Sequence, residues 1–122
     1  MIFVHCDVFY KKDLICEIDV NFVKETVHFT NYIDKIPLLP FGVLKSATIQ
    51  DFMNFVEDRV MPQSRYDCKE VLEEIGLPTY DAIEILRYNH GLCTEDEIWI
   101  KFDGEEVDYD KEIKPFFDIR YR

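Results

Sequence analysis

The hydrophobic and polar positions of this 122-residue chain change their period twice, and the changes divide it into three parts. Apolar and polar residues alternate over 2–33, which indicates β-strands because successive strand side chains point to opposite faces. Between 48 and 91 apolar residues recur every three or four positions, which is typical of amphipathic helices. From 98 onward the strand pattern returns. The predicted class is therefore α+β: an N-terminal three-stranded antiparallel sheet, three short helices and a C-terminal β-hairpin.

The length and the 48% of apolar residues predict a single domain, 1–122, with one hydrophobic core. Pairing the apolar faces of the first two strands places Cys6 opposite Ile18. The apolar segment 36–42 is expected to be an ordered crossover to the helices. The expected parts are a β-meander (1–36), a helical region (48–91), and a hairpin with its tail (98–122). The expected core face of the first two strands is Val4, Cys6, Val8, Leu14, Cys16, Ile18 and Val20.

Capping residues and helix breakers set the expected ends of the three helices. Thr48 and Asp51 have the spacing of a capping box, in which each side chain accepts a hydrogen bond from a free backbone N–H group. Proline and glycine interrupt the helical pattern between the segments. The expected starts are Thr48, Ser64 and Pro78–Thr79, and the expected ends are Pro62, Gly76 and Gly91. The residues expected to be buried between helices and sheet are Phe52, Leu72, Leu86 and Trp99.

Two strand-like runs, 98–102 and 106–109, flank Asp103-Gly104, a strong signal for a two-residue β-hairpin turn. The tail after Ile113 is rich in aromatic residues up to Tyr121. We therefore expect a hairpin followed by a packed tail.

The chain carries 25 acidic and 14 basic residues, for a formal net charge of −11. Such a surface repels nucleic acid and anionic membranes, so the expected partner is a basic protein surface. The sequence shows neither a secretory signal nor an apolar stretch that could span a bilayer, and we expect a cytoplasmic protein. Its four cysteines are then expected to be thiols or metal ligands.

Much of the negative charge lies between Glu95 and Glu112, where nine acidic residues and two lysines contribute −7. One interpretation is a solvated surface hairpin, the usual meaning of a run of charge. The other is a surface that imitates nucleic-acid phosphates and enters a basic groove. The candidate partner-binding residues are Glu95, Asp96, Glu97, Asp103, Glu105, Glu106, Asp108 and Asp110.

A structural zinc site is a second candidate. His90 and Cys93 form an H-x-x-C turn whose glycine lets both side chains converge on one ion. Cys68 lies on the expected inward face of the second helix, and His5 or Cys6 could supply a fourth ligand from the sheet. The alternative is that the cysteines are small core residues and that His90 caps the third helix.

No nucleophile, metalloprotease, phosphate-loop or dinucleotide motif occurs in the sequence, so we expect a protein that is not an enzyme.

Two spaced patterns carry a resemblance to known proteins. Residues 59–65 have the form R-x-x-P-x-S-R, and residues 91–100 have the form G-L-x-x-x-D-x-x-W-I. Together they resemble the segment that precedes HipA-like kinase domains in mobile elements of Firmicutes, over roughly 37–117. The kinase part is absent from this sequence, so the resemblance implies a small phage or mobile-element protein without kinase activity. Relative to that pattern, positions 68, 90 and 93 depart toward residue types that bind zinc.

The expected function is a binding protein that inhibits a host nucleic-acid enzyme, most concretely an anti-CRISPR protein that blocks a type II RNA-guided nuclease. The alternative is an accessory or antitoxin-like module that acts with a separately encoded HipA-like kinase. For Arg59 and Arg65 a structural role is also open, because both flank an interhelical turn and could bind helix C-terminal carbonyls.

Overall fold

The computed structural model describes residues 2–119 and has a mixed α+β fold, as predicted. The strands are β1 (Phe3–Tyr10), β2 (Asp13–Asn21), β3 (Thr26–Asn31) and β4 (Ile98–Phe102), and the helices are α1 (Ile49–Glu57), α2 (Cys68–Ile75), α3 (Ala82–Asn89) and α4 (Lys114–Ile119). The antiparallel sheet contains four strands in the order β3-β2-β1-β4 and not the predicted three, because β4 pairs with β1. No helix within residues 2–119 has the length and apolar character needed to cross a membrane.

The expected register of the first two strands is confirmed, since Cys6 lies opposite Ile18. A bulge near Val8 shifts the register at the far end, so that Leu14 pairs with Phe9 instead of continuing the core face. The bulge buries Ile15 beside Cys16, and both are at most 1% exposed. The core face of β2 therefore includes Ile15, whereas Leu14 is only half-buried.

The two faces of the sheet are covered differently. Helices α1 and α3 cover the inner face, and the main core between them includes Phe52 and Leu86, which are fully buried. On the outer face, Phe9 stacks on Trp99 with ring centroids 4.4 Å apart. A π-helical turn (Tyr109–Ile113) and α4 cover that half of the outer face, where Trp99 is buried with Ile113 and Phe117. The other half of the outer face is charged. All four predicted residues, Phe52, Leu72, Leu86 and Trp99, are buried, but Leu72 lies in a separate cluster with Cys68 and Ile85 and not between helices and sheet as predicted.

The predicted C-terminal hairpin is wrong, because residues 106–109 form no strand and β4 pairs with β1. The backbone N–H groups on the edge of β4 that faces away from β1 already have hydrogen-bond acceptors. The N–H groups of Ile98 and Phe102 donate to the carboxylates of Asp96 (3.0 Å) and Glu105 (2.6 Å). The N–H group of Ile100 donates to the carbonyl of His90 at 2.8 Å. A further strand would find no free N–H donor on this edge among residues 98–102. These hydrogen bonds protect an edge that could otherwise pair with another strand.

The tail packs as expected, through Ile113 and Phe117, although Tyr121 lies outside the described residues. It packs as a helix rather than as an extension of a hairpin. Asp108 starts this segment, since its carboxylate accepts a hydrogen bond from the N–H group of Lys111. Residues 105–119 therefore fold back over the outer face of the sheet.

The helix starts were predicted correctly only for α1. Thr48 and Asp51 form the reciprocal capping box. The predicted starts at Ser64 and at Pro78–Thr79 are wrong, because α2 begins at Cys68 and α3 begins at Ala82 after its N-cap, Asp81. Gly76 ends α2 in the left-handed conformation, as predicted.

The crossover is ordered as expected. It begins with a short 3-10 turn, Ile36–Leu38, and Phe41 is buried in the main core beside Phe29, with ring centroids 4.7 Å apart.

Candidate functional site

Arg59 joins the two sequence patterns, 59–65 and 91–100, at one point in space. Its guanidinium donates to both carboxylate oxygens of Asp96, at 2.9 and 3.0 Å. It also donates to the carbonyls of Gly91 (2.9 Å) and Ile98 (3.1 Å). Arg59 is 9% exposed, so this bidentate pair is largely shielded from water. The arginine therefore fixes the loop between α3 and β4, the loop in which the acidic segment begins.

Arg59 and Asp96 each stabilise the charged form of the other. Partial burial raises the pKa of Asp96, but the hydrogen bond and charge of Arg59 outweigh that effect and hold the pKa below its ordinary value. Asp96 also accepts from the N–H group of Ile98 and lies 3.6 Å from the Cys93 sulfur. Asp96 is therefore a structural residue of the loop as well as a member of the predicted partner surface.

Gly91 is required at its position by both conformation and space. Its φ is +68°, in the left-handed region that favours glycine. A Cβ atom there would lie 2.9 Å from Ile100 Cδ1 and 3.1 Å from Leu86 Cδ1. The glycine lets the chain turn tightly between α3 and β4 while its carbonyl accepts from Arg59.

The predicted partner residues lie along the loop before β4 and the segment after it, and the structure gives them two kinds of environment. Five have structural contacts. Besides Asp96 and Glu105, Glu97 lies 3.4 Å from Lys11, and Asp110 lies 3.3 Å from Lys12. Asp108 caps the C-terminal segment.

The other three candidate carboxylates, Glu95, Asp103 and Glu106, are exposed. Within residues 2–119 their side chains have no hydrogen-bond or ion-pair partner. These three side chains are therefore the part of the predicted surface that a partner could bind without first breaking an internal contact.

The uncovered half of the outer sheet face carries a further charged network. Both ring nitrogens of His5 face carboxylates: Nδ1 lies 2.7 Å from Asp19, and Nε2 lies 3.0 Å from Asp7. Partial burial lowers the pKa of His5, but the hydrogen bonds and charges of Asp19 and then Asp7 outweigh it, and the net shift is upward. Because only an imidazolium can donate from both nitrogens, this geometry favours the charged form.

The four candidate zinc ligands lie in four different environments. His5 is held by its two carboxylates. Cys68 is buried beside Leu72 and Ile85 in a small apolar cluster. His90 is the C-cap of α3, with Nδ1 3.4 Å from the Ile100 carbonyl, and Cys93 lies 3.5 Å from Arg59 Nη2. Within the described part of the chain, no group of three or more histidine, cysteine or acidic side chains is arranged to hold a metal ion.

Two further cysteines, Cys6 and Cys16, are fully buried in the main core. Burial raises the pKa of both thiols, with the charge of Glu17 adding to the effect at Cys16, whose pKa reaches about 12. A thiol that stays protonated is a poor nucleophile. This environment is the one expected of small core residues.

The zinc site stays a prediction, and the metal content of purified protein tests it directly. If it is correct, protein purified without added metal carries close to one zinc ion per chain. Cys93→Ser then loses the ion and several kcal/mol of stability, because the binding energy of a structural metal is folding energy. Metal-free protein with the same melting curve in chelator would show that no such site exists.

The helical face carries three tyrosines on or next to α2 and α3. Of these, Tyr88 lines a groove of about 380 Å³, whereas Tyr66 and Tyr80 do not. Tyr66 and Tyr88 are 95% and 64% exposed. Tyr80 is half-buried, and its hydroxyl donates to the Met61 carbonyl at 2.8 Å. Of the three tyrosines, Tyr66 and Tyr88 are thus available to contact a partner.

Sequence reasoning missed the His5 network, and it allowed a structural role for Arg59 but missed its pairing with Asp96. A signal for the first existed, because the correct register places His5 directly opposite Asp19. No local pattern indicated that Arg59 contacts a residue 37 positions away.

Comparison with protein-family models, curated protein sequences and solved structures finds no match to this chain.

Proposed function

We propose that this chain is an acidic binding protein of phage or mobile-element origin that inhibits a host nucleic-acid enzyme in the host cytoplasm. The most concrete form of the proposal is an anti-CRISPR protein that blocks a type II RNA-guided nuclease. The observation that carries it is a set of three exposed carboxylates, Glu95, Asp103 and Glu106, that have no partner within residues 2–119. They lie around a strand whose position is fixed by Arg59 and by pairing with β1.

The physical basis is electrostatic complementarity. A nuclease of this class holds its guide heteroduplex in a positively charged channel. A protein with a net charge of −11 is attracted to such a channel, and complementary fields accelerate association. Carboxylates on a rigid scaffold also bind with less loss of conformational freedom than carboxylates on a disordered tail. The proposal requires no catalytic residue in this chain.

A second candidate is the accessory or antitoxin-like module acting with a separately encoded HipA-like kinase. One observation supports it: Arg59 and Asp96, from the two patterns that carry the resemblance, form a bidentate pair. The two patterns therefore belong to one structural unit, which is what a shared fold with the kinase-associated segment requires.

Charge reversal tests the leading proposal. The variant Glu95→Lys/Glu106→Lys changes two carboxylates that form no hydrogen bond or ion pair with residues 2–119, so the fold should persist. We expect association with the nuclease to slow at least tenfold at low salt and DNA cleavage to return, because steering depends on the field of the protein. Added DNA should compete with the wild-type inhibitor for the same groove. The measurements are DNA cleavage and stopped-flow association over a range of salt concentrations.

The matched control is Glu73→Lys/Glu74→Lys at the exposed end of α2, which changes the net charge equally. It should retain inhibition. If the Glu95/Glu106 variant inhibits as well as wild type and salt has no effect, the acidic segment is only a solvated surface. The helical face with Tyr66 and Tyr88 would then be the next interface to test. Binding to a HipA-like kinase without any effect on the nuclease would favour the second candidate.

A further inference from the structure

A cavity of about 450 Å³ lies at the end of the sheet where β1 begins and β2 ends. Its wall combines apolar side chains, including the exposed Phe3, with polar and charged ones from β2, β3 and α3. Small-molecule sites in proteins have this size range and this combination of an apolar wall with a few polar groups. The cavity is separate from Glu95 and Glu106, the acids changed in the test of the proposed function.

Arg87 of α3 lines this cavity and is unusual among the charged residues. Its guanidinium carbon lies 4.5 Å from the ring centroid of Phe102, a cation–π contact that holds the side chain in place. Its Nε atom is buried and has no hydrogen-bond acceptor within residues 2–119. The nearest carboxylate oxygen, Glu84 Oε1, is 3.7 Å away, which is too far for a hydrogen bond.

An arginine of this kind is suited to an oxyanion. Buried polar groups in folded proteins are almost always hydrogen-bonded, so an exception requires an explanation. The planar guanidinium presents five donors in a fork that matches a carboxylate or a phosphate. Here the fork is oriented by the Phe102 ring, and Glu84 forms a 3.7 Å ion pair with its buried Nε atom. Because 32% of the side chain is exposed and it lines the cavity, the other guanidinium donors can meet an external acceptor.

The rest of the wall adds a further cation, Lys24. The His5 imidazolium does not add to it, because both of its ring nitrogens are bound by the carboxylates of Asp19 and Asp7. Asn21 and Thr26 add neutral polar groups. Asp103 is the one lining carboxylate without a partner in the described part of the chain, and it opposes an anion.

We propose that this cavity binds a small organic molecule bearing a carboxylate or phosphate group, with Arg87 binding the oxyanion and the wall around Phe3 covering the apolar part. The proposal does not rest on the proposed function, although Asp103 belongs both to this cavity and to the acidic surface proposed there. The two are tested apart, because the charge reversal at Glu95 and Glu106 leaves the lining of the cavity unchanged.

The test uses three aromatic probes of similar size: benzoate, phenyl phosphate and neutral benzamide. Each is titrated into the full-length protein labelled with ¹⁵N, and backbone amide shifts are followed. We expect saturable shifts at Asn21, Thr26 and Arg87 with one or both anions, and the stronger of the two identifies the class of oxyanion. Absence of saturation with both anions, or equal binding of benzamide, would overturn the proposal.

Three variants sharpen the result. Arg87→Gln keeps most of the side-chain stem and should weaken anion binding by about tenfold or more, the size of a lost charge-assisted hydrogen bond. Lys69→Gln removes a positive charge on α2, away from the cavity lining, and should bind like wild type.

Asp103→Asn should tighten binding, because it removes a repelling charge from an exposed turn residue and leaves the core intact. This variant keeps the test valid even if Arg87→Gln does not fold. Unchanged affinity in both Arg87→Gln and Asp103→Asn would contradict the assignment of the site.

Discussion

Arg59→Ala should lower the free energy of unfolding by about 3 kcal/mol, the lower end of the loss on breaking a buried ion pair. The guanidinium is 9% exposed and binds Asp96 through both carboxylate oxygens. Its removal also takes the side-chain donor from the carbonyls of Gly91 and Ile98. The lower end applies because the Asp96 side chain is 29% exposed and can regain water. Urea denaturation followed by tryptophan fluorescence measures the loss, since Trp99 follows Ile98 in β4.

The matched control is Arg65→Ala, the second arginine of the same R-x-x-P-x-S-R pattern. Arg65 is 47% exposed and pairs with Asp67 on the surface, so its removal should leave the melting temperature close to that of wild type. A double-mutant cycle with Asp96→Ala then isolates the pair. Losses that simply add in Arg59→Ala/Asp96→Ala would mean that the two residues do not stabilise each other.

The inner half of the fold was predictable because its pattern is local. Alternation identified β1, β2 and β3, and the even-to-even pairing of the apolar positions of β1 and β2 gave the correct register around Cys6 and Ile18. The bulge that buries Ile15 breaks that alternation, and a strict period of two cannot anticipate it.

The hairpin could not be predicted correctly from a turn signal alone. Asp103-Gly104 does form a turn, and Gly104 has φ +83°. The chain after it finds no free strand edge, because the edge donors of β4 already bind Asp96, His90 and Glu105. The acceptors come from residues before and after the strand, and they reach its edge only when the loop is folded. A local turn signal therefore does not indicate them.

The candidate site, like the fold, was predictable only in part. Its residue types and its net charge were evident from the sequence, but the contacts of each carboxylate were not. Glu105 and Asp108 accept hydrogen bonds from backbone N–H groups, whereas Glu95 and Glu106 accept none from the part of the chain that the structure describes. A run of acidic residues in the sequence shows where carboxylates are dense. Which of these carboxylates bind other groups of the protein depends on the packing of the folded chain.

Phe52→Ala should lower the free energy of unfolding by about 3–5 kcal/mol, the usual loss on removing a buried aromatic side chain. Phe52 is fully buried between α1 and the sheet, and its ring meets Phe22 edge-on with centroids 6.5 Å apart. The main core surrounds it on all sides, so the neighbours cannot close the gap. Guanidinium denaturation measures the loss, and an unchanged m-value shows that the unfolding transition is otherwise the same.

Leu72→Ala should lower the free energy of unfolding by about 2 kcal/mol, which is less than the loss in Phe52→Ala, although both side chains are buried. Leu72 is 9% exposed and belongs to the small cluster with Cys68 and Ile85, outside the main core. Helix α2 is only eight residues long, so it depends on that cluster to stay helical, but it lies at the surface and can shift to fill the space. Equal losses in the two variants would mean that α2 is as rigidly held as the main core. A loss below about 0.5 kcal/mol, the range of surface substitutions, would mean that α2 is not docked through Leu72 at all.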